Sequence, residues 1–325
     1  MVSIKQIAKA VGVSPATVSN ALTGKGRVSP MMVDRIQSMA KDLGYRPSLA
    51  GRALQRGQTG ILGLVMPDLT NPLFPRIAQH LSIAADSRGL GILIGDSRGS
   101  AEEQSQALHR LVDRGVDGLL VVPQKGTSPE LQPVPTVIIN TASDPRNDVS
   151  ADHGGGGRLV ARHITDLGHR KVAILGGDPV SEVQRDRIAG MSAEFNNVVE
   201  ARVLWGEAGL SALVGEIMNG ATAVLTTSDL LALKVQSQLT RSKLSVPGDV
   251  SLTGFDDLPL ATAMHPTLTT VAQDVKQTTE RALEIVTRMI AGEAGPASGE
   301  TIPMRLEPRQ STSNPKQTAN QEETL

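Results

Sequence analysis

The stretch SPATVSNALTGKGRVSP, residues 14–30, contains two Ser-Pro pairs, and each pair precedes a run with helical spacing of apolar residues. Serine is a favoured N-cap residue, and proline suits the first helical position because the amide hydrogen it lacks has no partner there. Ser14-Pro15 and Ser29-Pro30 therefore predict the starts of two short helices. A compact turn, TGKGR at 23–27, joins them.

The residues around this stretch complete a three-helix unit. A first helix is predicted over about 3–10, the second begins at Ser14, and the third runs from Ser29 to about Leu43. In each helix the apolar residues recur at intervals of three and four, so that one face can join a small core. Two short helices around a glycine-containing turn, braced by a third, form a helix-turn-helix unit.

Charge divides the chain into two unequal parts. Residues 1–56 contain nine Lys and Arg against two acids, which gives a net charge of +7. Because the whole chain carries −1, the remaining residues carry −8. A basic head on an acidic body is typical of a protein whose head binds a polyanion. Charge alone leaves open a basic head that has no such partner.

Composition limits the class of protein. The chain has 325 residues, enough for two or three domains, and its 39% hydrophobic and 2% aromatic residues predict aliphatic cores. The absence of cysteine excludes disulfides and thiolate metal sites. No signal-peptide pattern and no apolar run near 18 residues is present, so we expect a cytoplasmic protein without a membrane span.

From residue 60 onward, apolar runs alternate with helical patterns. Strands are predicted at 61–66, 90–95, 117–122, 135–140, 171–175, 222–226 and 250–254. Helices are predicted between and after them, at about 74–88, 101–114, 155–167, 183–195, 209–218, 229–240 and 274–291. Such runs, each followed by a helix, indicate parallel strands buried on both faces. The predicted fold is therefore a small all-α head plus a doubly wound α/β core with two similar lobes.

Several motifs occur along the chain in a specific order: IKQIAKAVGVSPATVSNAL, GYRPS, LGLVMPDLTNPLF, GVDGLLVVP, HITDLGHRKVAILGG and VPGDVSLTGFDD. In this order and spacing they resemble the lactose/galactose repressor family of bacterial transcription regulators, over about residues 2–313. The resemblance implies a helix-turn-helix DNA-binding domain at 1–46, a hinge helix at 47–58, and a two-lobed core at 59–313. The polar tail at 314–325 is predicted to be disordered.

The resemblance also implies how such a protein works. The core would be like the type I periplasmic sugar-binding proteins. Such proteins are usually dimers or tetramers, and we expect a homodimer that binds a palindromic operator in double-stranded DNA. A small molecule of the sugar or nucleoside/purine type, bound between the lobes, would change the affinity for DNA.

The helix that begins at Ser14 is the expected reader of the major groove. Pro15, Ala16 and Asn20 match the base-reading positions of the family, and only Asn20 has both a donor and an acceptor, as adenine recognition requires. Short hydroxyls at the same helix start are expected near phosphates: Ser14, Thr17 and Ser19. Helix capping alone is the alternative reason for serine and threonine there.

In the hinge, Leu54 matches a residue that the family inserts into the minor groove, kinking the duplex where two hinge helices meet. Arg52 and Gln55 are suited to flank it. Gly51 lowers the helix stability of this segment by about 1 kcal/mol relative to alanine. We therefore expect the segment to be marginal as a helix by itself in water.

In the core, Arg187 and Asp256 match the ligand-anchoring pair of the family. A guanidinium supplies a fork of donors and a carboxylate accepts from hydroxyls, which suits a polyol or a nucleobase. An ion pair between the lobes without a ligand is the alternative. Further effector contacts are expected from Asn71, Phe74, Asn140, Ser228 and Asp229. Trp205, the only tryptophan, fits either the cleft or the core.

No residue pattern indicates catalysis, a metal or a cofactor. The segment HGGGGR at 153–158 lacks the Lys-Ser/Thr of a phosphate-binding loop, and a helix start at Asp152 is predicted instead. The six histidines lack metal-ligand spacing. The sequence thus favours a DNA-binding regulator, against a solute-binding protein without a regulatory role and an enzyme on the α/β core.

Overall fold

The computed structural model describes residues 2–24, 26–45, 57–196, 198–293 and 299–316. The chain divides into two compact units, Met1–Thr59 and Gly60–Leu325. Most of the predicted hinge and the end of the predicted tail lie outside the described residues. Within that tail, Lys316 is described, and its Nζ lies 2.7 Å from Asp249 Oδ1.

The first unit contains three described helices: α1 (Ile4–Val11), α2 (Pro15–Thr23) and α3 (Pro30–Asp42). The predicted cap of α2 is present, since Ser14 Oγ accepts a hydrogen bond from the Thr17 amide at 3.1 Å. α1 begins with a reciprocal capping box between Ser3 and Gln6. One apolar face of each helix builds a small core of Ile7, Ala8, Val11, Val18, Ala21, Ile36 and Ala40.

The second unit alternates strands and helices in the order β1 (Ile61–Met66), α4 (Leu73–Asp86), β2 (Gly91–Asp96), α5 (Ala101–Asp113), β3 (Gly118–Val121), β4 (Thr136–Ile138), β5 (Val149–Ala151), α6 (His153–Asp166), β6 (Lys171–Gly176), α7 (Glu182–Phe195), β7 (Glu200–Trp205), α8 (Gly206–Met218), β8 (Ala223–Thr226), α9 (Asp229–Arg241), β9 (Ser251–Thr253), α10 (Pro259–Ala263), β10 (Thr270–Ala272), α11 (Val275–Ile290), β11 (Glu300–Ile302) and β12 (Arg305–Glu307).

Two four-stranded parallel sheets form the two lobes and share one topology. The first has the order β2-β1-β3-β4 and the second β7-β6-β8-β9. Helices bury both faces of the central strands β1, β3, β6 and β8, which is what their continuous apolar sequences predict. The predicted two-lobed, doubly wound α/β core is therefore confirmed.

Three short segments carry the chain between the lobes. Val149 and Ile302 belong to the apolar core of the first lobe, whereas Ala151 and Met304 belong to that of the second. The third crossing lies between β10, which belongs to the second lobe, and α11. The apolar face of α11 packs on the first lobe. The paired crossing strands were not predicted, because three-residue strands have no measurable periodicity.

Two of the four edge strands, β2 and β7, differ from what the sequence predicts. β2 was expected to be buried on both faces, but among the described strands it pairs only with β1 and is partly exposed, with Ile94 51% exposed. β7 was not predicted at all. Its first residues are exposed and include Glu200 and Arg202, so no continuous apolar run marks it. An edge strand has a solvent-facing side, which removes the sequence signal of a buried parallel strand.

Candidate DNA-binding and effector sites

The surface of α2 presents the residues predicted to contact DNA. Ser14, Pro15, Ala16 and Asn20 are exposed, and Thr17 and Ser19 are partly buried. Val18 and Ala21 anchor the opposite face in the core of the unit. The loop after α2 approaches the Asn20 side chain, because a Cβ built on Gly26 would lie 3.0 Å from Asn20 Nδ2. Whether these residues contact DNA remains a prediction, as do the roles of Arg52, Leu54 and Gln55, which lie outside the described residues.

A cavity of about 380 Å³ lies between the two lobes of the core. Its wall is built by segments that follow the carboxyl ends of the strands: Pro67 after β1, Pro123 after β3, Asn140 after β4, Ser228 after β8 and Asp256 after β9. Ligands of open α/β sheets bind at this end of the strands. The volume suits a small molecule.

Arg187 on α7 is held in the cavity wall by a full set of partners. Its Nη2 donates to Asp256 Oδ1 at 2.8 Å, its Nη1 to the Thr227 carbonyl at 2.6 Å, and its Nε to His153 Nδ1 at 3.3 Å. The guanidinium also lies over the Phe255 ring, 4.0 Å from its centroid, in a cation–π geometry. Both charged side chains are almost fully buried.

A glycine crossing between two helices places Arg187 there. A Cβ on Gly157 of α6 would overlap the Arg187 carbonyl oxygen, and one on Gly190 of α7 would overlap that of Gly154. The HGGGGR segment thus lets α6 and α7 pack backbone against backbone. The predicted helix start is confirmed, since the side chain of Asp152 accepts a hydrogen bond from the Gly155 amide at 2.8 Å.

Asp256 occupies a strained backbone position. Its φ of +108° lies in a region that favours glycine, and such strain clusters at functional sites. Gln273 Nε2 donates to the same oxygen that Arg187 binds, at 2.6 Å. Burial raises the pKa of Asp256, while the charge and hydrogen bond of Arg187, the hydrogen bond of Gln273 and the charge of Arg76 oppose that rise. The second carboxylate oxygen has no hydrogen bond within the described part of the chain.

His153 is a cavity residue that the sequence analysis did not select. Burial, and then the positive charge of Arg187, holds the pKa of His153 well below its usual value. The ring is therefore neutral, and its Nδ1 accepts from Arg187. The signal that could have found it is its place at the first position of α6, directly after the crossing strand β5. Gln184, Gln273 and Lys125 also line the cavity and had no sequence signal.

Four other predicted effector residues line the same cavity. Phe74 is partly buried and packs against the core of the first lobe. Asn71 Oδ1 accepts from the Leu73 amide at 3.1 Å, and Asn140 Nδ2 donates to Asp144 at 2.9 Å. Ser228 caps α9 while it contributes to the wall. The predicted set except Asp229 is therefore brought together at one site.

Asp229 does not belong to the cavity wall, which corrects the expectation from the sequence. It is completely buried, and its carboxylate accepts from Thr270 Oγ1 at 2.6 Å and from the Leu258 amide at 2.7 Å. Both oxygens are thus used inside the second lobe. Burial, with the nearby charge of Asp256 as the next cause, raises the pKa of Asp229 to about 7.

Trp205 is likewise absent from the cavity wall. It packs against the core of the second lobe, where its ring occupies the space that a side chain at Gly176 would need. Within the described ranges, no group of three or more His, Cys, Asp or Glu side chains is placed to hold a metal ion. No helix of the described chain is both long and apolar enough to cross a membrane.

Comparison with known proteins matches both units. Residues 3–48 match the family of bacterial regulatory proteins, lacI family, and residues 161–312 match the periplasmic binding protein-like domain. The chain is 31% identical over 340 residues to the HTH-type transcriptional regulator reg1 of Streptomyces lividans, with 96% of each chain covered. It is 27% identical over 308 residues to the ribose operon repressor of Escherichia coli (strain K12), covering 89% of this chain and 93% of that protein.

A solved structure of the lac repressor dimer, bound to operator and the anti-inducer ONPF, shares the fold with a TM-score of 0.83. The identity is 24%, and the match covers 96% of this chain and 99% of that chain. A helix-turn-helix unit followed by a two-lobed core with a ligand-sized cavity defines a DNA-binding transcription regulator. The chain belongs to the lacI family of bacterial regulatory proteins. The solute-binding and enzyme alternatives are therefore set aside.

Proposed function

We propose that this regulator is a repressor whose affinity for a palindromic operator is changed by a small molecule bound between the lobes. The observation that carries the proposal is the buried Arg187–Asp256 pair in the wall of the cavity, in a chain that begins with a helix-turn-helix unit. We place the DNA-binding domain at 1–46, the hinge at 47–58 and the core at 59–313. The site of action is the cytoplasm, where the operator is.

The effector that suits the cavity is neutral and polyhydroxylated, which means a sugar or, second, a nucleoside. The charged side chains in the wall are the bases Lys125 and Arg187 and the acids Asp68, Glu182 and Asp256. Both bases are already paired with acids, so a phosphorylated ligand would find no free cation among these residues. Phe74 offers an apolar face for stacking on a sugar ring. The ribose operon repressor, a relative by sequence, supports the sugar.

We further propose that the chain acts as a homodimer. In the first lobe, α4 packs against the edge strand β2, and these elements expose Ile83 (63%) and Ile94 (51%). An open strand edge beside exposed apolar side chains is suited to pair with a second copy. The dimeric state of the lac repressor that shares this fold supports the proposal. Ile94→Lys should lower the dimer fraction in analytical ultracentrifugation, whereas Leu131→Lys, at a side chain 99% exposed elsewhere in the lobe, should not.

DNA binding tests the first half of the proposal. The intact chain should bind operator selected from random DNA, and log K should fall linearly with log salt because phosphate contacts release counterions. Removal of residues 1–58 should abolish this binding. A thermal-shift screen of pentoses, hexoses, nucleosides and purines tests the second half. A hit that also raises the melting temperature of Arg187→Ala by the same amount would contradict the assigned site.

A further inference from the structure

The two lobes touch at the rim of the cavity through residues that no family motif singled out. Lys125 lies in the segment after β3, and Asp178 lies in the segment between β6 and α7. Lys125 Nζ and Asp178 Oδ2 are 2.6 Å apart, so an ion pair spans the gap between the lobes. Asp178 Oδ1 accepts from the Val180 amide at 2.9 Å, which orients the carboxylate toward Lys125.

A backbone contact supports the ion pair. The Gly126 amide donates to Glu182 Oε2 at 3.2 Å, again from the first lobe to the second. Gly126 has a φ of +68°, and a Cβ built on it would overlap Cγ1 of Val180. A side chain at 126 would therefore force the lobes apart at this point. Glycine at 126 therefore permits this close approach of the lobes, whereas a residue with a Cβ would prevent it.

The contact between the lobes lies where the cavity meets the solvent. Lys125 and Glu182 are part of the cavity wall, whereas the side chains of Lys125 and Asp178 are 50% and 30% exposed to solvent. One side of the contact thus faces the cavity and the other faces water. A ligand that enters or leaves by this gap must break the ion pair.

We propose that Lys125, Gly126, Asp178 and Val180 form a latch that holds the lobes together at the rim and sets how readily a small molecule leaves the cavity. The latch itself follows from contacts between the lobes, but its role in effector release rests on the proposed function. A half-exposed ion pair contributes up to about 1 kcal/mol, which corresponds to about a fivefold change in the ratio of closed to open lobes. The latch thus tunes affinity without contributing to the fold of either lobe.

The absence of cysteine allows a direct test in the full-length chain. Gln106→Cys on α5 and Ala212→Cys on α8, both exposed, carry spin labels, one in each lobe. In the labelled chain, Lys125→Met and Asp178→Asn should each raise the ratio of longer to shorter interspin distances, by up to about fivefold. The double variant should add little to either single change, because both break one pair. Salt at 1 M screens the ion pair, so it should shift the parent toward longer interspin distances and leave the distances in the variants unchanged.

A matched control and a steric test complete the experiment. Lys316→Met breaks an ion pair of similar length, with Asp249, that lies within the second lobe, and should leave the distances unchanged. Gly126→Ala should open the lobes, and Val180→Ala in the same chain should reverse this. Unchanged distances in Lys125→Met, an additive double variant, or an equal change in Lys316→Met would overturn the latch. These distances need no ligand, so a chain that binds no small molecule would contradict the proposed function and still leave the contact between the lobes supported.

Discussion

Arg187 and Asp256 are joined by a hydrogen bond of 2.8 Å between Nη2 and Oδ1, and their side chains are only 4% and 5% exposed. They come from different parts of the second lobe, α7 and the segment after β9, and meet at the cavity wall. A buried ion pair is weak evidence for stability, because desolvation offsets much of the attraction. Because the pair lines the cavity, its proposed role is to anchor a ligand, and that role is testable.

The first prediction concerns this pair. Asp256→Asn keeps an oxygen for Arg187 and Gln273 but loses the charge, so the fold should persist while effector binding weakens. Arg187→Ala leaves a buried carboxylate unpaired and should lower the free energy of unfolding by about 3–5 kcal/mol. Urea denaturation measures the stability and a thermal shift with ligand measures binding. Full effector response in Asp256→Asn would contradict the ligand-anchoring role.

The second prediction concerns Asn20 on α2. If its exposed amide reads a base edge, Asn20→Ala should weaken binding to the cognate operator by about 1–3 kcal/mol and relax the preference at one base pair per half-site. Circular dichroism should show an unchanged fold, because Asn20 lies outside the core of the unit. A uniform loss on all sequences would make Asn20 a phosphate contact instead.

The third prediction concerns Leu54, which lies outside the described residues and whose role rests on the family resemblance. Insertion into the minor groove requires two subunits at a fixed spacing. Leu54→Ala should therefore weaken binding to a palindromic operator far more than to random DNA, and should reduce the DNA bend. Leu49→Ala is the control for loss of apolar area in the same segment. Equal losses on both DNAs would refute the wedge.

The fourth prediction is a pH dependence of stability. The pKa of Asp229 is about 7 in the folded protein and about 3.8 when unfolded, so the folded state binds the extra proton between these values. Stability from this group is therefore complete below pH 4 and is lost as the pH rises through 7, by at most about 1.4 kcal/mol per pH unit.

Asp229→Asn removes this titration, although it also weakens one of the two internal hydrogen bonds. The free energy of unfolding of the variant, minus that of the parent at the same pH, should increase as the pH rises from 5 to 8. The difference between the two chains isolates Asp229 from the other groups that titrate in this range. A difference that is constant with pH would show that Asp229 is ionised throughout.

The sequence predicted those elements whose signal is local. Ser14 and Asp152 cap helices where they were expected to, and every long apolar run after residue 60 became a strand. The crossing strands β5 and β10 were missed because their three residues form strands only through partners distant in sequence. The edge strand β7 was missed because its first four residues are exposed and include Glu200 and Arg202, which leave no continuous apolar run.

In the candidate site, too, residues with a local sequence signal were predicted and residues that depend on distant contacts were missed. Arg187 and Asp256 were found through their motifs, and their contact confirms that they share one wall. Ser228 and Asp229 were both predicted to face the cavity, but only Ser228 lines it, because the Asp229 side chain turns into the second lobe. His153 and Lys125 were missed because their importance arises from contacts with segments distant in sequence.

The measurement that tests the account most directly is operator affinity with and without an effector, in the full-length chain and in Asp256→Asn. Fluorescence anisotropy on a selected palindromic operator, with a ligand from the thermal-shift screen, gives both values. A coupling of about 1–3 kcal/mol predicts a five- to 150-fold change of Kd in the parent chain and a much smaller change in the variant. An equal change in both chains, or none in the parent, would contradict control of DNA binding through this cavity.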